Sequence, residues 1–212
     1  MKKERCKRNQ SLGEEIGNGV THGVGFLLSV AATVLLYINC DRWQEYLSVT
    51  LFSVSMMMLY LSSTLYHSFK SGSVVKRIFK RFDHSSIYLL IAGTFAPILL
   101  AGVGTKLAFV MFIIQWICVI LGIVSKCIWP TKYKALHLIV YLVIGWSGVL
   151  FIPDLIELNV NLVWFILAGG IIYSIGVVFY TLSKVKYFHF VWHLFVLGGT
   201  ILHFLGVLLY II

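Results

Sequence analysis

The sequence predicts an all-α membrane protein: a seven-transmembrane helix bundle with its N-terminus cytoplasmic and its C-terminus outside. Three observations carry this. The 212 residues are 59% hydrophobic and 12% charged, a balance soluble domains rarely show. Seven apolar runs follow one another, each near the roughly 20 residues that cross a bilayer as a helix. Lysine and arginine collect in alternate connections, fifteen on one side of the predicted bundle against two, Arg42 and Lys106, on the other. Cytoplasmic segments gather such residues.

The first run, 18–39, is too long for the apolar core of a removable signal peptide, and no small-residue cleavage site follows it. The second, 46–67, closes on Ser63 and His67 before the cations Lys70, Lys76, Arg77, Lys80 and Arg81. The third, 84–102, follows Asp83, and Pro97 is expected to kink it, with neighbours satisfying the freed carbonyl. The fourth, 106–128, ends at Lys126, and the fifth, 134–152, starts at Lys134. The sixth, 160–182, stops before Lys184 and Lys186, and the seventh, 188–211, begins just after them. A β-barrel is excluded, because its strands would alternate over about ten residues. The organisation is a basic cytoplasmic tail at 1–15 and one membrane domain at 16–212. Gly93, Gly145, Gly148, Gly169, Gly170, Gly198 and Gly199 read as close-packing positions between helices. Trp43, Trp129 and Tyr133 read as interfacial anchors.

The formal charge of +9 is a topology signal. It points away from nucleic acid and towards anionic lipid head groups, with membrane lipids as the expected substrate or ligand. The tail contributes Lys2, Lys3, Arg5, Lys7 and Arg8. The four cysteines form no CxxC pair. Topology puts Cys6 inside and Cys40, an interfacial residue, outside, and Cys118 and Cys127 read as small apolar residues of the fourth helix. No disulfide and no thiolate metal site is expected.

The polar residues inside the runs are more specific. His67, Asp83 and His189 each lie within roughly 5 Å, along the helix axis, of a basic anchor, so they share one layer near the cytoplasmic face. Six of the seven histidines fall on that side, and only His203 lies deep, about 15 Å beyond His193. Ionisable groups in spanning helices are costly and face the bundle interior. The stretch "HFVWH" sets His189 and His193 at i and i+4, on one helical face, a spacing that presents two nitrogen ligands to Zn²⁺. His67 is the candidate third ligand. Ser63 stands one turn deeper on the same face, and Asp83 is a candidate base or water anchor. Three protein ligands plus water describe a catalytic zinc. A histidine near a membrane edge also serves as an inter-helix hydrogen-bonding residue, and on spacing alone both readings stand.

The motifs "EEIGNGVTHG", "SSTLYH", "FDHSSIYLLIAGTFAP" and "HFVWHLFVLGGTILHF" together resemble the hemolysin III family, the bacterial branch of the progestin and adipoQ receptor group, within a wider set of membrane hydrolases that includes the alkaline ceramidases. The resemblance runs from about Glu14 to the end of the chain. It implies a multi-pass protein of a bacterial cell membrane, with zinc near the cytoplasmic leaflet. By motif position it makes His67, His189 and His193 the ligands, has Asp83 position the water, and includes Ser63 in the same constellation. Glu15, Asn18 and His22 match the motif of the first helix, and with His84 and His203 they are candidates for polar support around the ligands. His203 reads as an interior packing residue.

Three functions compete. A zinc-dependent hydrolase of a lipid amide or ester would use Asp83 for proton transfer and Ser63 to steady the developing oxyanion. A membrane-perturbing or pore-forming hemolysin would need a continuous polar path, and the outer half is nearly all apolar. A lipid-sensing receptor with structural zinc is the third, although the longest external polar stretch, 39–46, offers little surface to a protein ligand.

Overall fold

The computed structural model describes residues 10–129 and 132–212. The tail cations and Cys6 lie outside the described residues, which contain helices and no strand. Seven helical spans are long and apolar enough to cross a membrane, as the sequence predicts.

Helix α1 (Leu12–Tyr37) begins six residues before its apolar run because a capping box starts it. The Ser11 N–H donates to Glu14 Oε2 at 2.8 Å, and Ser11 Oγ accepts from the Glu14 N–H, satisfying donors that a helix start otherwise leaves open. Helix α2 (Trp43–Ser68) follows. Helix α3 (Val74–Ala96) starts ten residues ahead of its apolar run, with Ser73 Oγ capping the Lys76 N–H at 3.1 Å. The basic stretch 74–81 is therefore helix. Pro97 opens a π-helical turn, Pro97–Val103, which answers its missing N–H by a change of helical pitch. Gly104, at φ 63°, closes that turn by donating its N–H to the Leu99 carbonyl.

Helix α4 (Lys106–Ile128) matches its run. The fifth span is divided into α5 (Lys134–Trp146), a 3₁₀ turn (Ser147–Phe151) and α6 (Ile152–Leu158). Pro153 sits in the first turn of α6, where no N–H is needed. Helices α7 (Val160–Thr181) and α8 (Phe188–Tyr210) complete the bundle.

Burial sorts the helices. The α2 and α3 spans are 56% and 67% buried, and that of α4 only 22%, so α2 and α3 form the centre while α4 turns Phe109, Ile120 and Leu121 outward. A lipid-facing surface of this kind needs no polar cover. Trp43, Trp129 and Tyr133 are exposed near helix ends, where anchors belong. Cys40 lies in the connection between α1 and α2, 5% exposed, with its thiol facing the Leu36 carbonyl at 3.2 Å. Cys40, Cys118 and Cys127 are free thiols.

The glycine readings divide. A Cβ at Gly93 would fall on the Ser55 side chain and 3.0 Å from the Leu51 carbonyl. Gly148, Gly169 and Gly199 are comparably tight, against Phe95, His203 and Tyr173. Gly170 and Gly198 have ordinary contact distances, and Gly145 would meet nothing within 4 Å, so it is not a close-packing position. Gly93→Ala should destabilise the bundle by about 1–3 kcal/mol, as overpacking does. Gly145→Ala should leave the melting temperature of the detergent-solubilised protein unchanged or slightly raised, and thermal unfolding of the pair measures the contrast.

Candidate metal centre

His67 lies in the last turn of α2, and His189 and His193 in the first two turns of α8. Ligand atoms from these three imidazoles lie within 4.8 Å of one another. The ring centroids are 5.4 Å apart for His67 and His189, 5.1 Å for His67 and His193, and 4.8 Å for His189 and His193. His67 and His193 are buried and His189 partly so. The i and i+4 spacing delivers the α8 pair to one face, and α2 brings the third ring to it.

The rings are held in definite tautomers. His67 Nδ1 donates to Glu15 Oε2 at 2.7 Å, and its Nε2 is enclosed with no hydrogen-bond partner. His193 Nδ1 donates to the Asn18 carbonyl at 3.3 Å. In each ring the outer nitrogen is thereby the donor, leaving the other with a free lone pair. A metal-ligating histidine is characteristically oriented in this way, by a carboxylate or a carbonyl behind it. The donor set fits a cation that accepts imidazole nitrogen, and it gives the orphaned His67 Nε2 a partner.

Helix α1 supplies this support. Glu15 uses its other oxygen, Oε1, to hold Lys76 Nζ at 2.9 Å, so one carboxylate joins α1, α2 and α3. Lys76 also donates to the Phe69 carbonyl at 3.2 Å and sits 4.8 Å over the Tyr66 ring. Asn18 is fully buried, and its amide donates to Gln10 Oε1. Glu14 Oε1 accepts from the Tyr187 N–H at 2.8 Å, pinning the residue before α8 in its left-handed conformation, φ 64°.

The structure places the other candidates in three ways. Ser63 is fully buried with an unpartnered Oγ, and Asp83 stands beside it, short of a hydrogen bond and within electrostatic reach of His67. Both border the cluster. His22 is stacked face to face on His193, with centroids 3.7 Å apart, and neither of its nitrogens has a partner. His84 and His203 stand apart from the three rings. His84 Nε2 is 3.8 Å from Asp83 Oδ2, and His203 is a buried packing residue stacked on Tyr173 and pressed against Gly169. His137 is also separate, bonded to Tyr88 at 2.7 Å and near Ser125.

Lys76 was hidden from sequence reading among the loop cations. Its signal was the helical register of 74–81, which puts it one turn from Lys80 and two from Asp83. The role of Glu14 was legible in the serine three residues before it. Tyr180, whose ring lies 6.3 Å from His189, carried no signal among so many aromatics.

A family model for haemolysin-III-related proteins matches residues 10–204. The chain belongs to this family. A hemolysin-3 homolog of Bacillus subtilis (strain 168) is 41% identical over 204 residues, covering 94% of this chain and 95% of the relative. Hemolysin-3 of Bacillus cereus is 38% identical, covering 100% and 98%. The human monocyte to macrophage differentiation factor is 28% identical, covering 93% of this chain and 84% of its own length. The resemblance to hemolysin III read from the four motifs is borne out, and the chain is a membrane protein of hemolysin III type.

Removing the support should be felt at the metal. Glu15→Gln is expected to weaken divalent-metal affinity about 10–100-fold with all three imidazoles intact, measured by competition with a chromogenic chelator. His193→Ala should abolish stoichiometric binding.

Proposed function

We propose that this haemolysin-III-related protein is a zinc-dependent hydrolase of a lipid amide or ester. The observation that carries the reading is the convergence of His67, His189 and His193, with the first and last held by hydrogen bonds behind them, beside an aspartate and an unpartnered serine. Imidazole ligands suit zinc, as they do copper, iron and nickel, and three protein ligands leave a position for water or substrate, the arrangement of a catalytic zinc. When bound, zinc supplies a Lewis acid that polarises a carbonyl and lowers the pKa of water to about 7.

The chain's own groups do the rest. Glu15 and the Asn18 carbonyl fix the imidazoles, so little reorganisation accompanies the reaction. Asp83 accepts the proton of the attacking water and returns it to the leaving amine or alcohol. Ser63 Oγ, with no other partner, donates to the substrate oxygen on which negative charge develops. A lipid substrate is supported by an apolar cavity that shares Tyr180 with the surroundings of His189. It starts at Tyr180 and Tyr141 and runs between α3, α5, α7 and α8 past Trp192 and Val196 to Phe95 and His203. An acyl chain entering there would bury its apolar surface in a matching lining.

The concentration of lysine and arginine at the metal end supports a cytoplasmic N-terminus and a site near the inner leaflet. In a Cys6→Ser background, exposed Cys127 should react with impermeant maleimide in inside-out vesicles and be protected in right-side-out ones.

Elemental analysis should find about one zinc per chain. Fatty-acid release from proteoliposomes should fall at least 100-fold in Asp83→Asn, which retains its metal, and 10-fold or more in Ser63→Ala. Undiminished turnover in Asp83→Asn would overturn the mechanism. Dye release from liposomes, equal with and without chelator and with no lipid cleaved, would favour the membrane-perturbing reading instead.

A further inference from the structure

Two lysines are buried among the described residues, Lys76 at 8% exposure and Lys126 at 4%. Buried lysines are rare unless paired, and Lys76 follows that rule through Glu15 and the Phe69 carbonyl. Lys126 does not. Among the described residues no carboxylate or carbonyl pairs with it, and the charges that face it are Lys134 and Lys80. Its stem is covered, yet its ammonium is not sealed off. Three chain segments therefore bring positive charge within reach of Lys126: α3 with the half-buried Lys80, α4 with Lys126 itself near its end, and α5 with Lys134 at its start. Helix α5 begins there with no side-chain cap, so its first N–H groups and the positive end of its dipole add to the same potential. Topology accounts for cations in water or among head groups, as with exposed Lys132. It does not account for a covered lysine facing two others.

Lys126, its stem covered and its ammonium facing two further cations, favours an anion at that ammonium. Its position relates it to the metal centre. His84 is within electrostatic reach of Lys80, Lys126, Lys134 and His189, and its Nε2 is 3.8 Å from Asp83. The cations thus border the groups assigned to hydrolysis, since Asp83 is itself within electrostatic reach of Lys80.

We propose that Lys126, with Lys80 and Lys134, binds the phosphate of the lipid headgroup, and that the substrate class is a phosphate-bearing lipid, with its scissile amide or ester a few bonds from the phosphate. The proposal rests on the hydrolase reading for the word substrate, and on the lysines alone for the phosphate. Lysine suits this task as a compact point charge.

The test uses the full chain in detergent and reads binding before turnover. The probes are short-chain phosphatidic acid, the diacylglycerol of the same chains, and inorganic phosphate, each followed by the shift of the thermal unfolding midpoint. Phosphatidic acid is expected to raise the midpoint at concentrations tenfold or more below those the diacylglycerol needs. Lys126→Gln should lose that preference while the unliganded protein melts no lower than wild type, because an unpaired charge has been removed. Lys80→Gln, at a less buried position, should weaken the preference too, and it decides the matter if the first variant fails to fold. Inorganic phosphate acting alone, with the same dependence on Lys126, supports the site with free phosphate as its ligand. Equal shifts from phosphatidic acid and diacylglycerol, or a preference that survives both substitutions, overturn the proposal. A chain that cleaves neutral lipids and ignores phosphate keeps the hydrolase and loses this site. One that cleaves nothing, yet binds phosphate through Lys126, keeps the site and loses the hydrolase.

Discussion

The carboxylate of Glu15 is the point on which this end of the bundle depends. One oxygen holds His67 of α2, and the other holds Lys76 of α3. Deleting one member of such a buried set leaves charges without compensation, a loss of about 3–5 kcal/mol where it has been measured in other proteins. The same contacts fix the axial register of α1 against α2 and α3, since a slip of one residue would break both. They also decide which nitrogen of His67 carries its proton. The helix that contributes none of the three rings therefore sets the orientation of His67 and His193.

This arrangement follows from the inverted solvent problem of a lipid-embedded chain. Apolar surface faces outward on α4, and the polar groups have nowhere to go except towards each other. Most succeed. Tyr60 and Tyr173 share the Thr200 hydroxyl at 2.7 and 2.8 Å, and Trp146 finds Ser174 at 3.0 Å. Of the enclosed atoms without partners, His67 Nε2, Ser63 Oγ and both His22 nitrogens share one neighbourhood, while Ser53, Gln115, Trp116 and His203 carry others elsewhere in the bundle. Several open polar atoms gathered in one place call for an explanation that a scattered one does not.

The architecture was legible because a bilayer imposes one length on every span, and six of the seven apolar runs became helices covering most of their extent. The fifth was read as unbroken and is broken after Trp146. Its residues are as apolar as those of a regular helix, and the break lies in packing, not composition. The early starts of α1 and α3 follow serine caps that hydropathy does not register. Of the site, His189 and His193 were legible from spacing, because four residues make one helical turn. His67 was legible only as a histidine at the matching depth. That Glu15 stands behind His67, and the Asn18 carbonyl behind His193, could not be read from depth or spacing. Those contacts join residues 52 and 175 positions apart, and only the docking of α1 brings them together.

That last separation has a consequence for how the protein is made. A chain emerges from the ribosome N-terminus first, so α1 enters the membrane carrying Glu14, Glu15 and Asn18 long before α8 has been synthesised. Glu15 can find His67 and Lys76 once α3 is in place. The Asn18 carbonyl and Glu14 Oε1 must wait for His193 and for the Tyr187 N–H that precedes α8. Until then the growing bundle has an open seam between its first and third helices, with polar groups turned towards lipid. Closing that seam is the final act of assembly. A truncated chain lacking α8 would carry those exposed groups permanently, a feature by which membrane quality control can distinguish the unfinished protein from the finished one.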